Sequence, residues 1–150
     1  MKKNKTENAS KLASLTFSLI ISCEEKESRF ADIYRLTHSE YRCLRLFIGD
    51  EHLNNKVIAK YMNKSKNQVS KIIDGLVKKD YVIRSINIKD RRTMELMLSS
   101  KGKELVEKLN DSYLDIHKNI LSDIEASKHD QLINSLTLLL SSLEKWISRT

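Results

Sequence analysis

A mainly helical fold carrying one small β-hairpin, an α+β class, is what this chain of 150 residues predicts. Three observations predict it. Proline is absent and glycine occurs only at positions 49, 75 and 102, which excludes glycine-rich phosphate loops, collagenous repeats and turn-dense β-sandwiches. Apolar residues recur at helical spacing through long runs at both ends of the chain. The period changes to two only once, between Tyr81 and Leu98. The length suits a single domain over 1–150, and a hydrophobic content of 40% is that of an ordinary globular protein.

The elements follow in order. Leu12, Leu15, Leu19 and Cys23 step by three or four, continued by Phe30 and Tyr34, and predict a long first helix with a buried apolar stripe. Thr37-His38-Ser39-Glu40 has capping-box spacing, and the helix it opens carries Tyr41, Leu44, Phe47 and Ile48 on one face until Gly49. Glu51 to Leu53 reads as an extended link. Asn54 caps a short helix that turns Val57, Ile58 and Tyr61 inward, Asn63 and Lys64 make a turn, and Ser65 caps the next helix. There Val69, Ile72, Ile73, Leu76 and Val77 form a full core stripe, and Lys66, Asn67, Gln68, Ser70 and Lys71 occupy the opposite face.

Two short helices joined by a tight turn, the second polar and basic at its N-terminal end, are a helix-turn-helix. Tyr81 to Ile88 is rich in β-branched residues, Met94, Leu96 and Leu98 alternate with Glu95 and Met97, and a polar basic tip lies between them. A helix-turn-helix followed by such a charged hairpin is a winged helix, here over 36–100. Leu105, Leu109, Tyr113, Ile116, Ile120 and Ile124 then predict a helix of about 24 residues, roughly 36 Å long. Ser127 to Asp130 caps a last helix whose Leu132, Leu136, Leu139, Leu143 and Trp146 step four and three in turn. These terminal helices, 10–35 and 101–150, are too long to bury their stripes on one small winged helix, so they predict a homodimer.

Charge points to the partner. The formal net charge is +7, and residues 60–92 hold ten bases against three acids (Asp74, Asp80 and Asp90), while the rest of the chain balances. A polyanion is the partner this implies, with double-stranded DNA the first candidate. Asn67 and Gln68 have the chemistry to pair with adenine and Lys71 with guanine, while Ser70 suits a base or a phosphate. Ser65, Lys66, Lys64 and Arg84 are placed to meet the backbone, which fixes position without reading sequence. At the hairpin tip, Lys89, Asp90, Arg91 and Arg92 complete the basic surface, with Arg92 suited to a narrow minor groove and Asp90 to holding its guanidinium.

Taken together, these residues resemble the MarR family of transcriptional regulators over nearly the whole chain. Val69-Ser70-Lys71-Ile72-Ile73-Asp74-Gly75-Leu76 is similar to the family's recognition helix, and Tyr81-Val82-Ile83-Arg84, Asp90-Arg91-Arg92 and Leu98-Ser99-Ser100-Lys101-Gly102 follow in the family's order. The resemblance implies a sequence-specific DNA-binding transcriptional regulator, a ligand- or stress-responsive repressor acting as a cytoplasmic homodimer on a palindromic operator. It also implies the wing roles of Asp90 and Arg92. The chain departs from the family in having Asp80 at the turn after the recognition helix, no proline before the wing tip, and Gly75 where a basic residue is common. Aspartate tolerates the left-handed backbone, so the turn at Asp80 is expected to survive. Gly75 is expected to cost about 1 kcal/mol relative to alanine and to remove one backbone contact.

The resemblance further implies a small-molecule effector, often aromatic or anionic, for which Tyr34, His38, Tyr41 and His117 are the candidate lining. Cys23 and Cys43 are candidate redox thiols if their pKa values are lowered, although Cys23 on the apolar stripe reads as an inert buried thiol. Glu24, Glu27, His38 and His117 could hold zinc on paper, but no histidines pair at i, i+4, so no metal or cofactor is expected. No nucleophile and base stand together, so no enzyme is expected. Two other readings follow from particular residues. Ile20-Ile21-Ser22-Cys23 after an early lysine cluster resembles a lipoprotein cleavage box, though the helical stripe runs past it and no membrane partner is expected. The basic face could instead serve as a winged-helix protein-interaction module for an acidic partner.

Overall fold

Four helices among the described residues begin where a side chain satisfies an early amide. In a computed structural model describing residues 2–50, 52–86 and 94–150, α1 spans Lys2–Ile33, α2 His38–Arg45, β1 His52–Asn54, α3 Asn55–Met62 and α4 Lys66–Lys78. They are followed by β2 (Val82–Ile86), β3 (Met94–Leu98), α5 (Ser100–Ser122), a 3-10 turn (Ala126–Lys128) and α6 (His129–Ile147). Thr37 and Glu40 form a reciprocal capping box at α2, with Thr37 Oγ1 accepting from the Glu40 amide at 3.1 Å and Glu40 Oε2 from the Thr37 amide at 2.8 Å. Asn54 accepts from the Val57 amide at 3.0 Å and caps α3. Ser65 and Gln68 repeat the capping box at α4.

The C-terminal ends of α1, α3 and α4 share one solution. Arg35, Asn63 and Asp80 have left-handed backbones, with φ of 55°, 50° and 62°. At each, paired amide-to-carbonyl bonds close the last turn: Leu36 to Ala31 and Arg35 to Asp32, Lys64 to Ala59 and Asn63 to Lys60, Tyr81 to Leu76 and Asp80 to Val77. This is the Schellman pattern, and it normally calls on glycine. The turn at Asp80 forms as the sequence predicts.

The chain divides into two compact units, Met1–Glu107 and Lys108–Thr150. In the first, α4 packs on α2, α3 and β2. Val69, Ile72, Ile73 and Leu76 are buried with Tyr41, Leu44, Ile58, Val82 and Leu96, each aliphatic side chain contributing about 1.5–3 kcal/mol. The sheet is antiparallel in the order β1-β3-β2, with Leu53 and Arg84 flanking Leu96 in register. The predicted hairpin is therefore the larger part of a three-stranded sheet. Its third strand, β1, has three residues and too little alternation to announce itself; pairing with β3 makes it a strand.

Tyr61 does not turn inward as its spacing suggests. It is 74% exposed, because the inner line of α3 runs from Ile58 to Met62 before Asn63 turns the chain. Gly102 stands where a Cβ would collide with the Tyr81 carbonyl oxygen, so the start of α5 can approach the end of α4 only with glycine there. Along α1 the predicted stripe is apolar but not buried within the chain: Leu12, Leu15 and Leu19 are exposed, and burial begins at Phe30.

In the second unit, the predicted cap from Ser127 does not form. Ser127 Oγ donates to Glu125 Oε1 at 2.6 Å, the 3-10 turn places Lys128 at the N-cap, and no side chain caps α6. His129 Nε2 instead meets the carbonyls of Leu121 and Ile124 at 3.0 and 2.9 Å. All of α6 is described, and none of its residues is buried.

Left-handed backbone disfavours a side chain by about 1 kcal/mol or more. Arg35→Gly is therefore expected to stabilise the chain by about 0.5–1 kcal/mol, read as a rise in urea midpoint at fixed protein concentration.

Candidate nucleic-acid interface

The exposed face of α4 is built by its cap and its core stripe together. Burying Val69, Ile72, Ile73 and Leu76 turns Asn67, Ser70, Lys71 and Asp74 outward at helical spacing. Lys66, Asn67, Gln68 and Lys71 are exposed and Ser70 half-buried. The structure thus brings the predicted recognition-helix residues onto one surface. Ser65 and Gln68 are tied into the cap: Ser65 Oγ accepts from the Gln68 amide at 3.3 Å, and Gln68 Oε1 accepts from the Ser65 amide at 3.0 Å. A bidentate adenine contact needs the amide oxygen of Gln68, so it would have to leave the cap to make one. Asn67 carries no such duty among the described hydrogen bonds.

Arg84 differs from its expected role. Its guanidinium pairs with the Asp74 carboxylate on the outer face of α4 rather than standing out toward a phosphate. The pair ties β2 to α4 and neutralises the acid on that outer face. The expected residues Lys89, Asp90, Arg91 and Arg92 lie outside the described residues; β2 and β3 lead toward them from the Ile86–Met94 pair.

At its other end α4 is held from two sides. Lys79 Nζ donates to Glu40 Oε2 at 2.6 Å and to the Arg35 carbonyl at 3.0 Å, joining the ends of α1 and α4 to the start of α2. Ser99 Oγ donates to the Asp80 carbonyl at 2.6 Å and accepts from the Gly102 amide at 2.9 Å. Lys101 Nζ reaches the Lys79 carbonyl at 3.1 Å and lies 4.8 Å from the centre of the Tyr81 ring. Gly75 proves to face Glu40, whose carboxylate occupies the space a Cβ would take. No outward basic contact is lost there, contrary to expectation. The Thr37–Glu40 box was legible in the sequence; its third member, Lys79, is 39 residues from Glu40 and no local pattern links them.

The candidate effector residues are divided between the two units. Tyr34 and Tyr41 both pack on Phe30, with ring centres 5.6 and 5.8 Å away, and Tyr41 is fully buried in the core. His38 Nε2 meets Glu27 Oε2 at 2.8 Å, and Arg42 Nε donates to the same oxygen at 2.7 Å. Burial pushes the Glu27 pKa up, but the hydrogen bonds and charges of His38 and Arg42 outweigh it and hold the carboxyl below its ordinary value. His117 belongs to the second unit, where its ring lies 4.3 Å from that of Tyr113.

Cys23 does not take its expected buried place, and Cys43 does not have the lowered pKa a redox thiol needs. Cys23 is exposed, because the stripe it belongs to is not covered within the chain. Cys43 is buried, and burial, helped by the nearby Glu40 charge, pushes its pKa up to about 12. A redox thiol needs the opposite shift.

The fold and this face are those of a winged helix-turn-helix protein. Residues 36–94, which hold the helix-turn-helix and lead into the last strand, match the MarR family model. It is 28% identical over 134 residues to the HTH-type transcriptional regulator SarZ of Staphylococcus aureus strain USA300, covering 87% of this chain and 88% of that one. SarZ of Staphylococcus epidermidis is likewise 28% identical, over 124 residues, 81% of this chain and 76% of the relative. Among solved structures, a MarR transcriptional regulator from Methanosarcina mazei Go1 superposes with a TM-score of 0.76 at 19% identity, covering 89% and 96% of the two chains. The S. aureus MepR–DNA complex gives 0.71 at 21%, covering 88% and 97%. No helix of the described residues is long and apolar enough to cross a membrane.

A thiol with a pKa near 12 is almost wholly protonated at pH 8. A Cys23→Ser variant is expected to leave no thiol that reacts with Ellman's reagent at that pH until urea unfolds the chain; prompt reaction of Cys43 would contradict its burial.

Proposed function

We propose that the chain is a homodimeric, sequence-specific DNA-binding repressor that occupies a palindromic operator and works in the cytoplasm. The observation that carries this is the outer face of α4, where Asn67, Ser70 and Lys71 stand exposed or half-exposed on a helix capped at its start and pinned at its end. A helix so held can enter a major groove with amide and basic side chains leading, at little further ordering cost. MepR, solved with DNA, shares the fold. The apolar residues left exposed along α1 and α6, including Leu15, Leu19, Leu136, Leu143 and Trp146, are the surface a second copy would cover. Two copies would set their recognition helices on half-sites about 34–36 Å apart.

Selection of bound sequences from a random duplex pool, using the full chain, is expected to recover one palindrome of that spacing. Lys71→Ala should weaken binding to the recovered duplex by about 1–3 kcal/mol while leaving the melting temperature in place. A pool with no enriched sequence would overturn the reading. Light scattering should give twice the chain mass of 17.4 kDa, and Leu136→Glu with Leu143→Glu should give monomers that no longer hold the palindrome.

A further inference from the structure

A groove of about 400 Å³ opens beside the helix-turn-helix, between the second half of α2 and the end of α3, with Glu27 of α1 at its side. Arg42, Arg45 and Lys64 bring three positive charges to it against the single acid Glu27. Tyr61, 74% exposed, stands on its wall with no part in the core. We infer that this groove seats the sugar–phosphate backbone of the operator strand that borders the recognition helix, so that the interface extends onto α2. The inference rests on the proposed DNA-binding function and assigns that function further residues.

The placement follows from the turn. Lys64 lies between the left-handed Asn63 and Ser65, the N-cap of α4, so it forms the groove's edge nearest the start of the recognition helix. When a recognition helix enters the major groove N-terminus first, the helix before it crosses the backbone, and the turn between them meets phosphates. The groove lies immediately behind that turn. Arg42 is held for such a contact: Glu27 takes its Nε–H at 2.7 Å and is itself fixed by His38 at 2.8 Å, which orients the guanidinium with further N–H donors in hand. A phenol is a regular phosphate donor, which gives Tyr61 a reason to face solvent. A contact of this kind carries no sequence information and follows the salt concentration.

The test uses the full chain, a random-sequence duplex and the selected palindrome, with affinities taken between about 50 and 200 mM NaCl. Arg42→Ala and Lys64→Ala should each reduce the slope of log affinity against log salt by about 0.9, on both duplexes alike. Arg42→Lys should restore most of the slope, and Lys118→Ala, exposed in the second unit, should leave it unchanged. A wild-type slope in Arg42→Ala, alongside weakened palindrome binding in Lys71→Ala, would overturn the groove assignment and leave the regulator reading standing. A wild-type slope combined with loss of thermal protection by sodium benzoate would reassign the groove to a small organic anion. A wild-type protein that binds neither duplex would sink the regulator reading and this inference with it.

Discussion

The carboxylate of Glu40, on a residue only 5% exposed, closes the cap of α2, receives the ammonium of Lys79 and lies against Gly75. A charge so far from water is tolerable only when it is paired and hydrogen-bonded, and here a backbone amide and a lysine both donate to its Oε2. The recognition helix depends on this arrangement, because Lys79 is its C-cap residue. Among the described residues the other buried polar group is Ser99, and it binds the next carbonyl along, that of Asp80. Both buried polar residues therefore converge on the same two-residue turn. The C-terminal end of α4 is fixed by interactions sheltered from solvent, and its N-terminal end is left for a ligand.

Charge behaves differently in space than along the chain. By composition the excess lies wholly within residues 60–92, and Arg42 and Arg45 are cancelled by acids elsewhere. In the fold those two arginines join Lys64 around one groove, where Glu27 offsets Arg42, while within the basic stretch Arg84 is spent on Asp74 and Lys79 on Glu40. Among the described residues, positive charge therefore reaches the α2–α3 side of the helix-turn-helix, beyond the stretch that the sequence singles out. A count of charges in a window measures affinity for a polyanion only after the internal pairs are removed.

What could be read in advance was local. The caps at Thr37, Asn54 and Ser65, the core stripe of α4 and the left-handed turn at Asp80 each depend on residues within a turn or two of one another, and each formed. Features decided by a distant partner were misjudged: β1 needs β3, the Asp74–Arg84 pair needs the strand to return across α4, and the vacancy at Gly75 is defined by Glu40. The candidate site divides the same way. Its outward face on α4 follows from periodicity alone, whereas the engagement of Gln68 in the cap and of Arg84 in an ion pair required coordinates.

α6 has nineteen residues, eight of them leucine or isoleucine beside Trp146, and not one is buried. A helix with no side-chain cap and no fully buried residue draws little stability from its own chain. In the proposed dimer its order would come from the second copy, so folding of this segment and assembly would be a single concentration-dependent event. The fraction of chains able to grip both half-sites would then fall faster than the number of chains as expression declines. Control over the operator would be a threshold in protein abundance rather than a proportional response to it.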